Sequence, residues 1–265
     1  MTYPNNLSRL EEISLPEFVC LSEGKVDGTR LVCFHFAGGS AQSFMPWREI
    51  FAGKHELFAA ELPGRSRRYS ETFIESIEVA VNRFADAFRQ LECKPTVFYG
   101  HSLGAILAYE TARRLDKTPY QIEHLILSSR SSPVNYPSSI GLPKLTDREL
   151  LEYLKELNGT DAQVLNNKKL MDVILPVIRS DLEIIYDYEH KPTQKLTVSL
   201  DIIGAIDDQH CPFETLLDWR NITSAPADLY MIDGDHFAPM NNAAHILNLI
   251  EQRTALHQNP RTALR

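Results

Sequence analysis

The chain has 265 residues, of which 43% are hydrophobic and 23% are charged. This composition is typical of a globular protein and excludes a disordered or collagen-like chain. The 27 Lys and Arg residues against 35 Asp and Glu residues give a net charge of −8, which argues against a general nucleic-acid or anionic-membrane binder. The length allows one large domain or two small ones.

The cysteines and the N-terminal region bear on the cellular compartment. Cys20, Cys33, Cys93 and Cys211 are scattered with no C-x-x-C pair, which predicts reduced thiols rather than disulfides or a zinc site. Residues 1–21 lack the basic segment and apolar run of a secretory signal, and no apolar stretch approaches 18 residues. We therefore expect a cytoplasmic protein that does not cross a membrane.

Short β-rich segments alternate with helical segments along the chain. The predicted strands are Arg30–Phe36, Glu56–Glu61, Thr96–Tyr99, Ile122–Ser128, Thr197–Ile203 and Leu229–Ile232. Several are apolar throughout, as expected of strands covered on both faces. The helices between them are predicted from a helical repeat of Ile77, Val81, Phe84, Phe88 and Leu91, and over Ala105–Leu115 and Ala243–Leu249. This alternation predicts an α/β fold with a mostly parallel sheet and helices on both faces.

The segment from about residue 133 to residue 192 interrupts the alternation. It contains two predicted helices, Asp147–Leu157 and Lys169–Tyr188, and Thr146 with Glu149 has the spacing of a capping box. Two interpretations stay open: a helical crossover, or a helical insertion that covers the C-terminal edge of the sheet as a lid. About sixty residues is long for a crossover, which favours the lid.

The sequence Gly100-His101-Ser102-Leu103-Gly104 lies between a predicted strand and a predicted helix. This is the context of a nucleophile elbow, in which a serine occupies a strained strand-to-helix turn and small residues on either side let the backbone pass close by. N–H groups at the start of the helix also favour negative charge developing nearby. Ser102 is therefore the predicted nucleophile.

A nucleophile elbow is followed along the chain by an acid and then by a histidine. Of the later histidines, His236 directly follows the predicted strand Leu229–Ile232, so it should reach the edge of the sheet where Ser102 lies. The acid should follow the preceding strand, where Asp207 and Asp208 are adjacent. The spacing G-x-x-D of hydrolases favours Asp207, and at this point both remain candidates.

An oxyanion hole requires two preorganised N–H donors. Leu103, directly after the nucleophile, is one predicted donor, and Ala37 in the glycine-rich turn Phe36-Ala37-Gly38-Gly39-Ser40 is the other. Such a turn is also compatible with a phosphate loop, but the chain has no G-K-[ST] after it and no G-x-G-x-x-G. The residues predict a serine hydrolase that needs no metal or organic cofactor.

Several motifs, in order along most of the chain, resemble the type II (external, editing) thioesterases of nonribosomal peptide and polyketide synthases, members of the α/β-hydrolase superfamily. They are His35-Phe36-Ala37-Gly38-Gly39-Ser40-Ala41, Glu61-Leu62-Pro63-Gly64-Arg65, the elbow, Leu175-Pro176, Arg179-Ser180-Asp181-Leu182, Trp219 and Gly234-Asp235-His236-Phe237. Two departures are Gly204-Ala205, where the family usually has two glycines, and Asp235, where it often has glycine.

The resemblance implies a single α/β-hydrolase domain with a lid over about residues 133–192. Counting back from Trp219 places the family's acid at Asp208. The implied substrates are acyl or aminoacyl thioesters on the phosphopantetheine arms of carrier protein domains, which would be the partners. The alternatives are a medium-chain fatty acyl thioesterase and a carboxylesterase on small oxygen esters, because a triad cleaves both bonds by the same steps. A non-catalytic binding protein is less favoured by the complete triad.

The densest basic cluster is Arg65, Arg67 and Arg68, directly after the turn that follows a predicted strand. Strand ends of a parallel sheet face the same rim as Ser102. Carrier domains are usually acidic, so these arginines could bind the carrier's acidic helix or the phosphate of its arm. The alternative is a solvated surface loop.

Overall fold

The computed structural model describes residues 15–25, 28–134, 142–191 and 194–258, without the side chains of residue 143 and residues 254–258. Seven strands form one sheet: β1 (Phe18–Ser22), β2 (Arg30–Phe34), β3 (Glu56–Ala60), β4 (Thr96–His101), β5 (His124–Ser128), β6 (Ser199–Ala205) and β7 (Ala227–Ile232). Their order across the sheet is β1-β3-β2-β4-β5-β6-β7, and every neighbouring pair is parallel except β1 with β3.

The described α-helices are α1 (Arg48–Phe51), α2 (Ile77–Phe88), α3 (Leu103–Leu115), α4 (Asp147–Leu157), α5 (Ala162–Leu165), α6 (Lys168–Tyr186), α7 (Phe213–Leu217), α8 (Ala238–Asn241) and α9 (Ala243–Gln258). Short 3₁₀ turns cover Ala41–Trp47, Ser66–Arg68, Leu142–Lys144 and Asp218–Ile222. None of these helices is long and apolar enough to cross a membrane.

The two faces of the sheet pack against different helices, because successive strand residues point to opposite faces. In β2, Val32 and Phe34 join one buried cluster with α2 and α3, whereas Leu31 and Cys33 join a second cluster with α1 and α9. Such strands must be apolar on both faces, and all five residues of β2 are buried. The structure confirms the predicted mostly parallel sheet with helices on both faces.

The predicted strands agree with β2–β7 within about two residues, but β1 was missed. β1 is a short edge strand with a partly exposed pattern, and it pairs antiparallel with β3. The short helices α1, α5, α7 and α8 were also not predicted, because four or five residues are too few to show a helical repeat.

The segment between β5 and β6 is helical, as expected. It contains α4, α5 and α6, and the capping box at Thr146 is present at the start of α4. Residues 135–141 and 192–193 of the predicted insertion lie outside the described residues. These helices carry a third buried cluster, which includes Leu150, Met171 and Ile178. Ala37, at the C-terminal edge of the sheet, packs against this cluster, so the helices cover that edge.

Candidate active site

Ser102 lies in a strained turn between β4 and α3. Its φ of +55° and ψ of −115° are in a region that residues other than glycine rarely occupy. A Cβ atom on Gly100 would lie 2.2 Å from the carbonyl oxygen of Gly104, and one on Gly104 would lie 2.0 Å from that of Phe34. The turn is held by the Ser102 N–H, which donates to the Ser128 carbonyl at 2.9 Å. The local geometry is therefore that of a nucleophile elbow.

His236 and Asp208 meet in the two loops that follow β7 and β6. His236 Nδ1 lies 2.8 Å from Asp208 Oδ2, and the other carboxylate oxygen, Oδ1, accepts the His210 N–H at 3.0 Å. The Asp208 side chain is fully buried, whereas Asp207 is exposed. Because the carboxylate faces Nδ1, that nitrogen carries the hydrogen and Nε2 is left as the basic atom. Of the two candidate acids, the structure brings Asp208 to the imidazole.

A buried polar network supports the strand end beneath Ser102. His101 Nδ1 and the Tyr99 hydroxyl each lie 2.9 Å from Ser128 Oγ. Burial, and next the neighbouring His236, hold the pKa of His101 well below its usual value. The His101 and His236 rings are 5.2 Å apart between centroids. A neutral His101 does not repel positive charge that forms on the His236 imidazole.

The predicted oxyanion residues, Ala37 and Leu103, line the same cavity as Ser102 and His236. Leu103 is the first residue of α3, so its N–H is among those that lack a carbonyl partner within the helix. The glycine turn after Ala37 is closed by the Gly39 N–H, which donates to the Phe36 carbonyl at 2.9 Å.

This oxyanion loop, residues 36–39, is held by a buried ion pair that the sequence did not predict. The two terminal nitrogens of Arg65 bind the two carboxylate oxygens of Asp181, on α6, at 2.7 Å each. The same carboxylate accepts the Gly38 N–H at 2.8 Å, and Arg65 also donates to the Gly39 carbonyl at 3.0 Å. Gly38 has a φ of +78°, which favours glycine. The pair therefore ties α6 directly to the oxyanion loop.

The prediction of a docking surface is wrong for Arg65 and Arg68, and for Arg67 it stays a prediction. Arg65 and Arg68 are 6% and 4% exposed, and Arg68 binds the Glu71 carboxylate and the Glu61 carbonyl. Arg67 donates to three carbonyl oxygens near β1, those of Leu15, Pro16 and Phe18. The guanidinium groups of Arg65 and Arg68 satisfy acceptors of the protein itself, so they are not available to a partner, whereas Arg67 is exposed.

A cavity of about 250 Å³ contains the catalytic candidates. Its walls toward the helical insertion are mostly apolar, formed by Leu142, Tyr153, Leu154, Leu157, Ile174, Ile178, Leu182 and Ile185. Among the described residues that line this cavity, Arg130, which follows β5, carries a permanent charge. A larger groove of about 610 Å³, lined by α2, α3 and the end of α6, contains none of the predicted site residues. Within the described ranges no group of three or more His, Cys, Asp or Glu could hold a metal ion.

Residues 29–254 match the family model of a thioesterase domain. Among curated proteins, the chain is 34% identical to the thioesterase PikA5 of Streptomyces venezuelae over 78% of this chain and 74% of that protein. It is 30% identical to the human medium-chain S-acyl fatty acid synthase thioesterase over 83% of this chain and 84% of that protein. Among solved structures, the type II thioesterase BorB from the borrelidin biosynthetic cluster superposes with a TM-score of 0.83 at 29% identity, over 89% of this chain and 97% of that chain.

Proposed function

The chain belongs to the thioesterase family, and from this premise we propose that it hydrolyses acyl or aminoacyl thioesters on the phosphopantetheine arms of carrier protein domains. The main support for this proposal is that Ser102, in an elbow turn, lines the same cavity as His236, which is hydrogen-bonded to Asp208. On this proposal the chain is a single α/β-hydrolase domain, and residues 133–192 form its lid. The expected family and the α/β-hydrolase fold are confirmed by the family match and by BorB.

The reaction follows from the placement of the side chains. His236 Nε2 removes the proton from Ser102 Oγ as Oγ bonds to the thioester carbonyl carbon. The N–H groups of Ala37 and Leu103 stabilise the oxyanion. When the intermediate collapses, the C–S bond breaks and the thiolate takes the proton from His236. Water then attacks the acyl-enzyme by the same steps, and its proton returns to Ser102. Asp208 holds the tautomer of His236 throughout.

The assignment of roles is tested by substitution. Ser102→Ala should abolish hydrolysis and labelling by a fluorophosphonate probe, with no loss of fold. Asp208→Asn should lower kcat by about 10⁴-fold, because the imidazole loses its orienting acceptor. The matched control Asp207→Asn should change kcat by no more than about two-fold, since that side chain is exposed. The reverse order would assign the acid to Asp207, and a wild-type protein that the probe fails to label would indicate a non-catalytic binding protein.

The leaving group is the point on which the rival functions differ. PikA5 is a thioesterase and BorB is a type II thioesterase. The human relative is a medium-chain fatty acid synthase thioesterase. We infer a cytoplasmic editing or release enzyme of nonribosomal peptide or polyketide synthesis, since BorB, a type II thioesterase from a biosynthetic cluster, superposes on 89% of this chain.

A matched substrate series separates these possibilities. The test compares one short acyl group as a carrier-protein thioester, as an N-acetylcysteamine thioester and as a p-nitrophenyl ester, together with a decanoyl carrier thioester. We expect the highest kcat/KM for the short carrier thioester. A preference for the p-nitrophenyl ester would support a carboxylesterase, and a preference for decanoyl would support a fatty acyl thioesterase.

A further inference from the structure

Arg130 lies in the active-site cavity, and its guanidinium group has no hydrogen-bond or ion-pair partner among the described residues. It follows the end of β5 by two residues and lines the same cavity as Ser102 and His236. Its Nε atom is buried and has no hydrogen-bond partner among the described residues. The backbone at this position is fixed, because the fully buried Trp219 donates its indole N–H to the Arg130 carbonyl at 2.6 Å. Arg130 is therefore held in place at the cavity, and its charge is left unsatisfied.

The fully buried arginines of the described chain each have a carboxylate partner, whereas Arg130 is half-buried. Arg30 pairs with Glu56 at 3.0 Å, Arg65 with Asp181 at 2.7 Å and Arg68 with Glu71 at 2.6 Å. Within the described ranges no carboxylate forms such a pair with Arg130. The neighbouring residues 135–141, with the sequence NYPSSIG, contain no acid that could supply one. A charge that is partly removed from water and has no ion-pair partner is costly, and this favours an anion beside Arg130 in the cavity.

The groups around Arg130 are neutral. Its electrostatic neighbours are Cys211, Tyr153 and Tyr188, and burial raises the pKa of the Cys211 thiol and of the Tyr153 phenol to about 12 each. An arginine remains protonated even in an apolar site. The cavity at pH 7 therefore presents one unpaired cation beside apolar walls that include Leu154 and Ile178. This combination fits a small organic anion with a short hydrocarbon part.

We propose that Arg130 binds a carboxylate on the acyl group, so that the enzyme accepts short dicarboxylic acyl thioesters such as malonyl or alkylmalonyl units. The inference rests on the proposed function. A guanidinium recognises a carboxylate by two parallel hydrogen bonds. The arm's phosphate carries the same chemistry, but the full length of the pantetheine chain separates it from the thioester. Arg130 shares the small cavity of Ser102, and this favours an anion on the acyl side of the thioester.

The experiment compares two acyl groups of similar shape, malonyl and isovaleryl, as N-acetylcysteamine thioesters, which carry no phosphate. Arg130→Gln should lower kcat/KM for malonyl by about ten- to hundred-fold, mainly through KM, because a charged hydrogen bond is lost. Its effect on isovaleryl should stay within about three-fold. Arg130→Lys should recover part of the malonyl activity. The matched control Arg220→Gln removes an exposed arginine outside the cavity and should leave both substrates unchanged. An equal loss on both substrates would assign Arg130 a structural role and overturn the proposal.

A second arm tests the phosphate as the source of the anion. Isovaleryl is offered on phosphopantetheine and on N-acetylcysteamine. If Arg130→Gln impairs only the phosphopantetheine substrate, the bound anion is the phosphate, and the carboxylate proposal is wrong.

A binding measurement separates this inference from the proposed function. Ser102→Ala, which cannot turn over, should bind malonyl thioester at least about ten-fold more tightly than Ser102→Ala/Arg130→Gln in calorimetry. If the wild-type protein hydrolyses no thioester, the proposed function fails, while this difference still supports the carboxylate site. Hydrolysis of isovaleryl with equal malonyl affinity in the two variants defeats only the Arg130 proposal.

Discussion

The helical insertion between β5 and β6 has two parts that are held in place by very different interactions. The C-terminal half of α6 joins the main core through Ile184 and Ile185, and its Asp181 is fully buried against Arg65. In contrast, α4 packs its buried Leu150 and Leu154 against α6, and its polar contacts within the described residues, Asp147 with Arg179 and Asn158 with Asp235, are exposed. We therefore expect the helices of the proposed lid to open to different extents, because a buried ion pair anchors α6 whereas the polar contacts of α4 are exposed.

The anchoring of α6 explains why the motifs that contain Arg65 and Asp181 occur together with the elbow, although they are far apart in sequence. Arg65 and Asp181 are 116 residues apart, yet they form one unit that fixes Gly38 and Gly39 beside the nucleophile. A buried ion pair adds little net stability compared with apolar packing, but losing one partner is costly. We attribute the positioning of the oxyanion loop to this ion pair, because Asp181 and Arg65 form hydrogen bonds with the backbone of that loop.

The largest effect should come from breaking this pair. Asp181→Asn leaves Arg65 buried with an uncompensated charge and removes a charged acceptor from the Gly38 N–H. We expect a loss of about 3–5 kcal/mol in the free energy of unfolding and a fall in kcat of about 10²-fold. Urea unfolding and hydrolysis of a short thioester measure the two effects.

Asp147→Asn is the matched control on the other part of the insertion. Its ion pair with Arg179 is exposed, so the cost should be no more than about 1 kcal/mol, with kcat unchanged. Equal losses in the two variants would remove the distinction between α6 and α4.

A buried histidine makes the anchored part sensitive to acid. Burial, and next the positive charge of Arg65, lower the pKa of His35 to about 4. An unfolded histidine titrates near 6.5, so between about pH 6.5 and pH 4 the unfolded state binds more protons and stability is lost as the pH falls. At pH 4 this loss is about 3 kcal/mol for His35. We expect the free energy of unfolding to fall less steeply from pH 7 to pH 4.5 in His35→Gln than in the wild type.

The control for this titration is His210→Gln, because His210 is exposed. This variant should follow the pH dependence of the wild type. A His35→Gln variant with the wild-type slope would show that other groups account for the acid sensitivity.

Hydrogen exchange should distinguish the two parts of the insertion without any mutation. Amides of α4 and α5 should exchange faster than those of Ile178–Ile185, because opening of α4 breaks exposed polar contacts and apolar packing, while opening of α6 also breaks a buried ion pair. Similar protection of α4, α6 and the central strands would mean that the insertion does not open separately from the sheet.

The nucleophile, the base and most of the sheet could be predicted because each depends on local order along the chain. Ser102 directly follows β4 and His236 lies in the loop after β7, and both strands contain apolar runs that the sequence shows. The choice between Asp207 and Asp208 needed the resemblance, since the two are adjacent and only the fold shows which carboxylate turns inward.

What could not be predicted depends on contacts between distant segments. Arg65 looked like a surface residue because its partner, Asp181, lies 116 residues away and is brought to it by the fold. The role of Arg130 could not be predicted either, because it depends on the fold placing no carboxylate beside this side chain among the described residues. The sequence assigned no role to Asp235. Its side chain accepts a hydrogen bond from Asn158 at the end of α4 and so links the histidine loop to that helix.

The smallest expected effect concerns this link between the histidine loop and α4. Asp235 Oδ2 accepts a hydrogen bond from the Asn158 side chain at 2.8 Å, and Oδ1 accepts the Phe237 N–H at 3.0 Å. Asp235→Ala should raise the population of the open form of α4 about two- to ten-fold, the effect of one or two exposed hydrogen bonds.

Hydrogen exchange of the α4 amides in Asp235→Ala measures this shift, and it should leave the amides of α6 unchanged because their anchor is intact. Asp233→Ala, which removes a neighbouring exposed carboxylate, is the control and should leave both helices unchanged. Faster exchange in α6 together with α4 would mean that the two parts open as one lid. In that case the buried pair of Arg65 and Asp181 would break in each opening, and Asp181→Asn should then accelerate exchange in both helices alike.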